Sequence, residues 1–145
     1  MGIDSRRIQK GVVSVDHKSL SPLFDERLAR PCGWPKSFLF VGRYHERKGI
    51  DILVEGYRRY RERVTDPWPL RTAGMGPLAE ILAHKHGIED LGFVAPGAMP
   101  EIWRDAGAFV LSSRYDAWPL VNVEAAAAGL PVVCTDVCGS SVETV

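Results

Sequence analysis

Apolar residues cluster in five short runs, each about the length of a β-strand. The runs begin at Phe38, Trp68, Ile88, Ala108 and Pro131. All but the third are mostly apolar rather than alternating, a pattern typical of strands that are covered on both faces. The pattern therefore predicts five strands, most of them buried in the middle of a layered domain.

The stretches between these runs have the spacing of amphipathic helices. The clearest covers residues 50–64, where an apolar stripe runs from Ile50 to Val64 and charged residues face away. Shorter helices are predicted over 77–84, 100–106 and 120–128. Strand–helix–strand units in series imply right-handed crossovers. The fold class that we predict is α/β, a Rossmann-like parallel sheet with helices on both faces.

The 145 residues have room for one ordinary domain. Residues 1–37 mix charges, Ser, Pro and Gly without clear periodicity, so we expect a lead-in or linker segment of loops there. Residues 38–145 carry the strand and helix pattern. The final "GSSVETV" is similar to the start of a helix that is cut off at Val145. We therefore expect an incomplete domain, a fragment of a longer protein.

Charge and composition narrow the classes of function. Eighteen Lys and Arg balance eighteen Asp and Glu, and a neutral chain has no overall field that attracts nucleic acid or an anionic membrane. Hydrophobic residues are 46% and charged residues 25%, as in globular proteins. No window is long and apolar enough for a membrane span, and the N-terminus is too polar for a signal peptide. We expect no integral membrane segment and a cytoplasmic location.

Cysteines and histidines predict no metal site. Cys32, Cys134 and Cys138 are an odd count with neither disulfide-framework nor zinc-site spacing, which agrees with a reducing compartment. His84 and His86 lie two residues apart on a predicted helix and so do not share a face. Cys134 and Cys138 flank the end of a predicted strand, which favours a role as small buried apolar residues.

The loop after the first strand, "GRYHERKG", is rich in cations. It places Arg43, His45, Arg47 and Lys48 beside the N-terminus of the next helix, where backbone N–H groups and cations together form an anion pocket. Solvated loop cations are an equally weighted alternative. The arginines of residues 57–63 are offset by neighbouring glutamates, so a nucleic-acid patch is disfavoured.

The loop after the second strand formally matches the dinucleotide fingerprint, with Gly74, Gly76 and Ala79 in G-x-G-x-x-A spacing. The match is weak because Pro77 removes an amide donor and no acidic residue is expected at the end of the next strand. A tight strand-to-helix turn explains it at least as well. A nicotinamide-dependent dehydrogenase is accordingly disfavoured.

Two carboxylates follow the fourth strand. Asp116 lies in the loop and Glu124 lies eight residues later, in a helix that is otherwise apolar. Burial of a carboxylate costs free energy unless it is hydrogen-bonded. The eight-residue separation between the two carboxylates suits the two hydroxyl-bearing ends of an extended ligand. A solvated helix residue or a capping carboxylate is the alternative for each. Trp118 either closes one wall of the pocket or packs in the core.

The order of the motifs "FLFVGRYHERKG", "AGMGP", "IEDLGFVAPG" and "SSRYDAWPLVNVEAAAAGLPVV" resembles a known family. It is that of the C-terminal, nucleotide-sugar-binding domain of GT-B fold retaining glycosyltransferases of the family 4 type, the glycosyl transferases group 1. The resemblance covers Phe38 to Val145. It implies sugar transfer from a nucleoside-diphosphate-sugar donor to an unknown acceptor with retention of configuration.

The resemblance also implies roles for single residues. Arg43 and Lys48 hold the donor diphosphate, Asp116 binds hydroxyls of the transferred sugar, and Glu124 binds the nucleotide ribose. The loop over 117–121 supplies backbone amides to the phosphates, and Gly139 and Glu143 correspond to the next loop and helix. The implied catalytic set is Arg43, Lys48 and Asp116; the implied donor-binding set is Arg43, Lys48, Gly74, Phe93, Val94, Trp118, Pro119, Leu120 and Glu124, with the pair at 93–94 beside the nucleobase.

The resemblance implies no metal and no cofactor, because the donor is a substrate and cations take the metal's place. Asp116 stands where a longer Glu is commoner, and Pro119 cannot donate an amide. The N-terminal acceptor-binding GT-B domain, the expected partner, is absent from these residues. A non-catalytic nucleotide-sugar-binding module that needs a separate partner domain is therefore the alternative function.

Overall fold

The computed structural model describes residues 15–141 of the chain. Its centre is a five-stranded, wholly parallel sheet in the order β3-β2-β1-β4-β5. The strand predictions and the fold class are thereby confirmed. The strands are β1 (Phe38–Val41), β2 (Leu70–Ala73), β3 (Ile88–Asp90), β4 (Ala108–Leu111) and β5 (Val132–Cys134).

The strand order changes direction between β1 and β4, because β2 and β3 are added on one side of β1 and β4 and β5 on the other. The β1–β2 ladder pairs all of β1, from Phe38↔Leu70 to Val41↔Ala73. The β1–β4 ladder has only Phe38↔Ala108 and Leu39↔Phe109. The two strands thus stop pairing before they end, which opens a crevice at their carboxyl ends. In open α/β sheets, ligands bind at such a point.

Part of one face of the sheet is covered by α3 (Ile50–Arg63), while Val133 of β5 remains 59% exposed. The helix begins after Gly49, whose left-handed φ of 63° glycine tolerates best. Ile50, Leu53 and Tyr57 are buried, as the apolar stripe predicts. Arg58 and Arg59 pair with Glu55 on the outer face, so these arginines are engaged within the helix.

The other face carries α1 (His17–Leu20), α2 (Pro22–Leu28), α4 (Met99–Arg104) and α5 (Leu120–Ala127). The first two correct the expectation of loops before residue 38. Asp16 caps α1 by accepting the Ser19 N–H over 3.4 Å, and Pro22 suits the first turn of α2. Leu20 and Leu23 are buried in the same core as the strands.

Arg27 of α2 ties this layer together. Its guanidinium is fully buried and donates to the Trp103 carbonyl at 3.3 Å and the Ala128 carbonyl at 2.6 Å, at the ends of α4 and α5. Burial lowers the pKa of the group. The Trp34 ring lies 5.2 Å from the guanidinium carbon, so the cation has an aromatic partner.

Two local expectations were wrong. The helix over 77–84 is only a 3-10 turn, Ala79–Ile81, because His84 adopts a left-handed φ of 57° and β3 begins at Ile88. In addition, β3 ends on an acidic residue, Asp90, where none was expected. The helix predicted over 100–106 is confirmed as α4, and the one over 120–128 as α5.

Candidate functional site

The loop after β1, residues 42–49, forms one wall of the crevice and is anchored by Tyr44. This side chain is 1% exposed, and its hydroxyl donates to Asp90 Oδ1 at 2.6 Å. Burial, and secondly the hydrogen bond to that carboxylate, raise the pKa of the Tyr44 hydroxyl, so it remains a donor at neutral pH. Asp90 also accepts the Gly92 N–H at 2.9 Å. The carboxylate at the end of β3 is therefore engaged in holding this loop.

Gly74 and Gly76 allow the loop after β2 to pass close to the loop after β1. A Cβ at Gly74 would lie 1.9 Å from the Gly42 carbonyl oxygen, and one at Gly76 would lie 2.3 Å from that of Tyr44. The Tyr44 N–H donates to the Met75 carbonyl at 2.9 Å. These glycines thus have a packing role, which explains the fingerprint-like spacing without a dinucleotide.

The second wall, the segment after β4, meets the first wall through Ser112. Its hydroxyl lies 2.8 Å from the Gly49 carbonyl oxygen and 3.0 Å from the Lys48 carbonyl oxygen. A Cβ at Gly49 would lie 2.0 Å from the Ser112 carbonyl oxygen. The two backbones therefore touch directly beneath the side chain of Lys48.

Arg114 adds a second connection between the walls. Its N–H donates to the Arg47 carbonyl at 2.8 Å, and its guanidinium binds both carboxylate oxygens of Asp51 at 2.7 and 2.6 Å. Next to it, the Arg47 guanidinium carbon lies 5.5 Å from the centre of the Tyr115 ring. The sequence analysis missed Ser112 and Arg114. The signal that could have found them is alternation, because residues 112, 114 and 116 all contact the first wall.

Lys48 and Asp116 meet across the crevice. The Lys48 ammonium donates to Asp116 Oδ2, and the two side chains are only 24% and 17% exposed. The sequence analysis placed these groups on different parts of a ligand, whereas in this structure they form an ion pair. Partial burial makes the pair stronger than one in full solvent.

The backbone of Asp116 is held from the opposite side by the segment after β5. Asp116 forms a parallel bridge with Cys138, and its carbonyl accepts the Gly139 N–H at 3.0 Å. A Cβ at Gly139 would lie 1.9 Å from the Ala117 carbonyl oxygen. Gly139 therefore supports the carboxylate loop, by which we mean the residues 112–119 that carry Asp116. Glu143 lies outside the described residues.

The carboxylate loop leads into α5, whose N-terminus has no side-chain cap. Pro119 is the buried N-cap residue, and its carbonyl accepts the Ser140 hydroxyl at 3.1 Å. Trp118 is half-buried, and its indole Nε1 is buried without a partner among residues 15–141. Leu120, the first helical residue, is exposed. The positive end of this helix dipole lies four residues beyond Asp116.

Glu124 lies in the second turn of α5 and is half-buried. Burial raises the pKa of its carboxyl group. No hydrogen bond to this carboxylate is formed within the described part of the chain. A half-buried carboxylate of this kind gains from any ligand that donates hydrogen bonds to it.

The remaining candidates are open to solvent. Arg43 is exposed, and no ion pair to it forms within residues 15–141. Phe93 is 65% exposed on the segment after β3, and Val94 beside it is half-buried. In the described residues, no three His, Cys, Asp or Glu side chains are grouped so as to hold a metal. No helix within that same range is long and apolar enough to cross a bilayer.

Comparison with known proteins decides the family. The family model described as glycosyl transferases group 1 matches residues 35–145. The chain belongs to this family. The uncharacterized glycosyltransferase MJ1607 of Methanocaldococcus jannaschii is 33% identical to this group 1 chain in an alignment 111 residues long, which covers 72% of the chain and 28% of the relative.

Other group 1 relatives have assigned activities. The mannosylfructose-phosphate synthase of Agrobacterium fabrum is 34% identical in an alignment 114 residues long, which covers 69% of this chain and 25% of that protein. The D-inositol 3-phosphate glycosyltransferase of Paenarthrobacter aurescens is 34% identical, with 97% of this chain and 38% of that protein covered. The chain thus spans between 25% and 38% of the length of these relatives.

Solved structures match the fold. The C-terminal domain of the group 1 protein LpcC from Francisella tularensis superposes with a TM-score of 0.64 at 18% identity, over 87% of this chain and 72% of that one. HepE of Anabaena, solved with UDP and glucose, superposes with a TM-score of 0.63 at 19% identity, over 88% of this chain and 38% of that one. The group 1 chain therefore has the fold of the C-terminal domain of a GT-B glycosyltransferase.

Proposed function

We propose that this chain binds the donor of a retaining glycosyltransferase, a nucleoside-diphosphate sugar, in the crevice between the β1 and β4 loops. One observation carries the proposal: a lysine from the first loop and an aspartate from the second meet at this crevice. The uncapped N-terminus of α5 follows directly. Cation and helix N-terminus together suit a diphosphate.

In this proposal, the chemistry of the site is electrostatic. When the sugar leaves, negative charge grows on the diphosphate, and Lys48 and Arg43 stabilise that charge without a metal. Arg43 is suited to this because its side chain is exposed and has no ion-pair partner in residues 15–141. The catalytic set is thus Arg43, Lys48 and Asp116, of which Asp116 orients the sugar through its hydroxyls.

The two carboxylates and the aromatic segment define the ends of the donor. Asp116 accepts hydrogen bonds from the sugar, and Glu124 accepts them from the ribose, which would compensate its burial. Phe93, with most of its ring exposed, stacks against the base with Val94 beside it. UDP and glucose, which accompany the similar HepE, make UDP a reasonable probe.

Transfer itself requires more than this domain. The chain spans between 25% and 38% of the length of three curated relatives, and an N-terminal GT-B domain would contact the acceptor. We place the reaction, with retention of configuration, in the cytoplasm. The second candidate is a binding module without turnover. Adding the N-terminal half of a related enzyme separates the two, because recovered transfer supports the enzyme and binding alone supports the module.

The binding proposal is tested by calorimetry with UDP. We expect Lys48→Ala and Arg43→Ala each to weaken binding by about tenfold or more, since each removes a charged contact to the diphosphate. Arg63→Ala is the matched control, because this exposed arginine lies at the far end of α3. Equal affinity for UDP in all four proteins, or no binding by the parent chain, would reject the assignment.

A further inference from the structure

The Lys48–Asp116 ion pair presents a competition within the proposed donor site. Each side chain has the other as its only hydrogen-bonding or ion-pairing partner among residues 15–141. Both are mostly removed from solvent. In the free protein, therefore, the cation proposed for the diphosphate is already neutralised by the carboxylate proposed for the sugar.

The Lys48 ammonium has three N–H donors, but the carboxylate of Asp116 neutralises its charge and repels phosphates, so a diphosphate gains the full charge of Lys48 only when it replaces that carboxylate. That replacement leaves the carboxylate of Asp116 without its partner, and a partly buried charge that loses its partner costs free energy. An intact donor offsets this cost because its sugar hydroxyls donate to Asp116 while its phosphates accept from Lys48. A nucleoside diphosphate without the sugar satisfies Lys48 alone.

We propose that Asp116 is a specificity-determining residue that competes with the diphosphate for Lys48, so that the site favours the sugar-bearing donor over the diphosphate left after transfer. The inference rests on the proposed function, because it needs the diphosphate to bind at Lys48. It adds that the same contact that joins the two loops also disfavours retention of the product.

Inorganic pyrophosphate is the probe, since it carries the diphosphate charge without base or sugar. We expect Asp116→Asn to bind pyrophosphate about threefold to tenfold more tightly than the parent chain, because the competing charge is removed while the shape is kept. Asp116→Ala should do the same. Glu46→Gln is the matched control: it neutralises an exposed carboxylate on the same loop that forms no ion pair within the described residues, and we expect less than about a twofold change.

A second pair of variants isolates Lys48 from general electrostatics. In a Lys48→Met background, Asp116→Asn should leave pyrophosphate affinity within about twofold. If Asp116→Asn binds no more tightly than the parent, or if its gain persists without Lys48, the competition is overturned while UDP binding through Lys48 stands. If neither the parent nor the folded Asp116 variants bind pyrophosphate or UDP, the inference and the proposed function fail together.

Discussion

Arg114 and Asp51 form a two-point ion pair that joins the loop after β4 to the first turn of α3. Both terminal nitrogens of the guanidinium reach the carboxylate, at 2.7 and 2.6 Å. The same guanidinium donates to the Glu46 carbonyl at 3.1 Å. Arg114 thus connects the loop that carries Asp116 to the segment that carries Lys48.

We predict that Arg114→Ala weakens UDP binding by about threefold to tenfold, because the two loops lose their relative position while Lys48 and Asp116 are intact. The free energy of unfolding should fall only slightly, since both side chains of the pair are largely exposed. Calorimetry and urea unfolding measure the two effects. Arg63→Ala serves as control, and an unchanged UDP affinity for Arg114→Ala would contradict a positioning role.

The same pair predicts a pH dependence of stability. The guanidinium of Arg114 lowers the pKa of Asp51 to about 2 from its ordinary 3.8. A carboxyl group with a lowered pKa stabilises the folded state above its unfolded pKa, and this stabilisation is lost as pH falls through the folded pKa. The difference in unfolding free energy between the parent and Asp51→Asn should therefore be constant above about pH 5 and shrink toward pH 2. A difference that grows with acid would exclude the pair as its source.

Gly49→Ala should be strongly destabilising. The added methyl group would lie 2.0 Å from the Ser112 carbonyl oxygen, at a residue whose φ of +63° disfavours any side chain. We expect a loss of about 3 kcal/mol or more in urea unfolding. Gly56→Ala is the control, because a Cβ there has nothing within 4 Å and should stabilise α3 by about 0.5–1 kcal/mol. Similar effects at both glycines would disprove the close approach.

Glu124→Gln should stabilise the fold and weaken UDP binding. Burial raises the pKa of this carboxyl group above its ordinary value of 4.5. The charged form therefore lowers the free energy of unfolding at neutral pH, and this loss of stability disappears when the pH falls below that ordinary pKa. We expect a Tm about 2–4 °C higher at pH 7, a gain lost at pH 4, and about tenfold weaker UDP binding. Glu80→Gln, at an exposed site, should change neither. A lower Tm for Glu124→Gln would show that the carboxylate is already compensated.

The inner strands β1, β2 and β4 could be predicted because they are short, continuous apolar runs that are mostly buried, whereas the edge strands β3 and β5 are largely half-exposed or exposed. The helices at the N-terminus could not. α1 and α2 have only 4 and 7 residues, and Arg27 occupies a core position whose acceptors are carbonyls 76 and 101 residues away. Local periodicity carries no information about such distant partners.

The same limit applies to the candidate site. Arg43, Lys48 and Asp116 could be selected from their loops and from a family resemblance, but the pairing of Lys48 with Asp116 depends on β1 and β4 being neighbours. Ser112 and Arg114 were missed because their partners are loop carbonyls and Asp51, 63 or more residues away. Their alternate spacing with Asp116 indicates one shared face, but which loop that face contacts depends on the strand order.

The short β1–β4 ladder has a wider consequence. Beyond Leu39 and Phe109, each strand is guided only by its outer neighbour, β2 for β1 and β5 for β4. Because neighbouring strands in a sheet twist relative to each other, the distance between these two strand ends is set by the twist of the sheet on either side of them. The spacing of the charged side chains on the two loops consequently depends on the contact between Gly49 and Ser112 rather than on pairing between the strands that carry these loops.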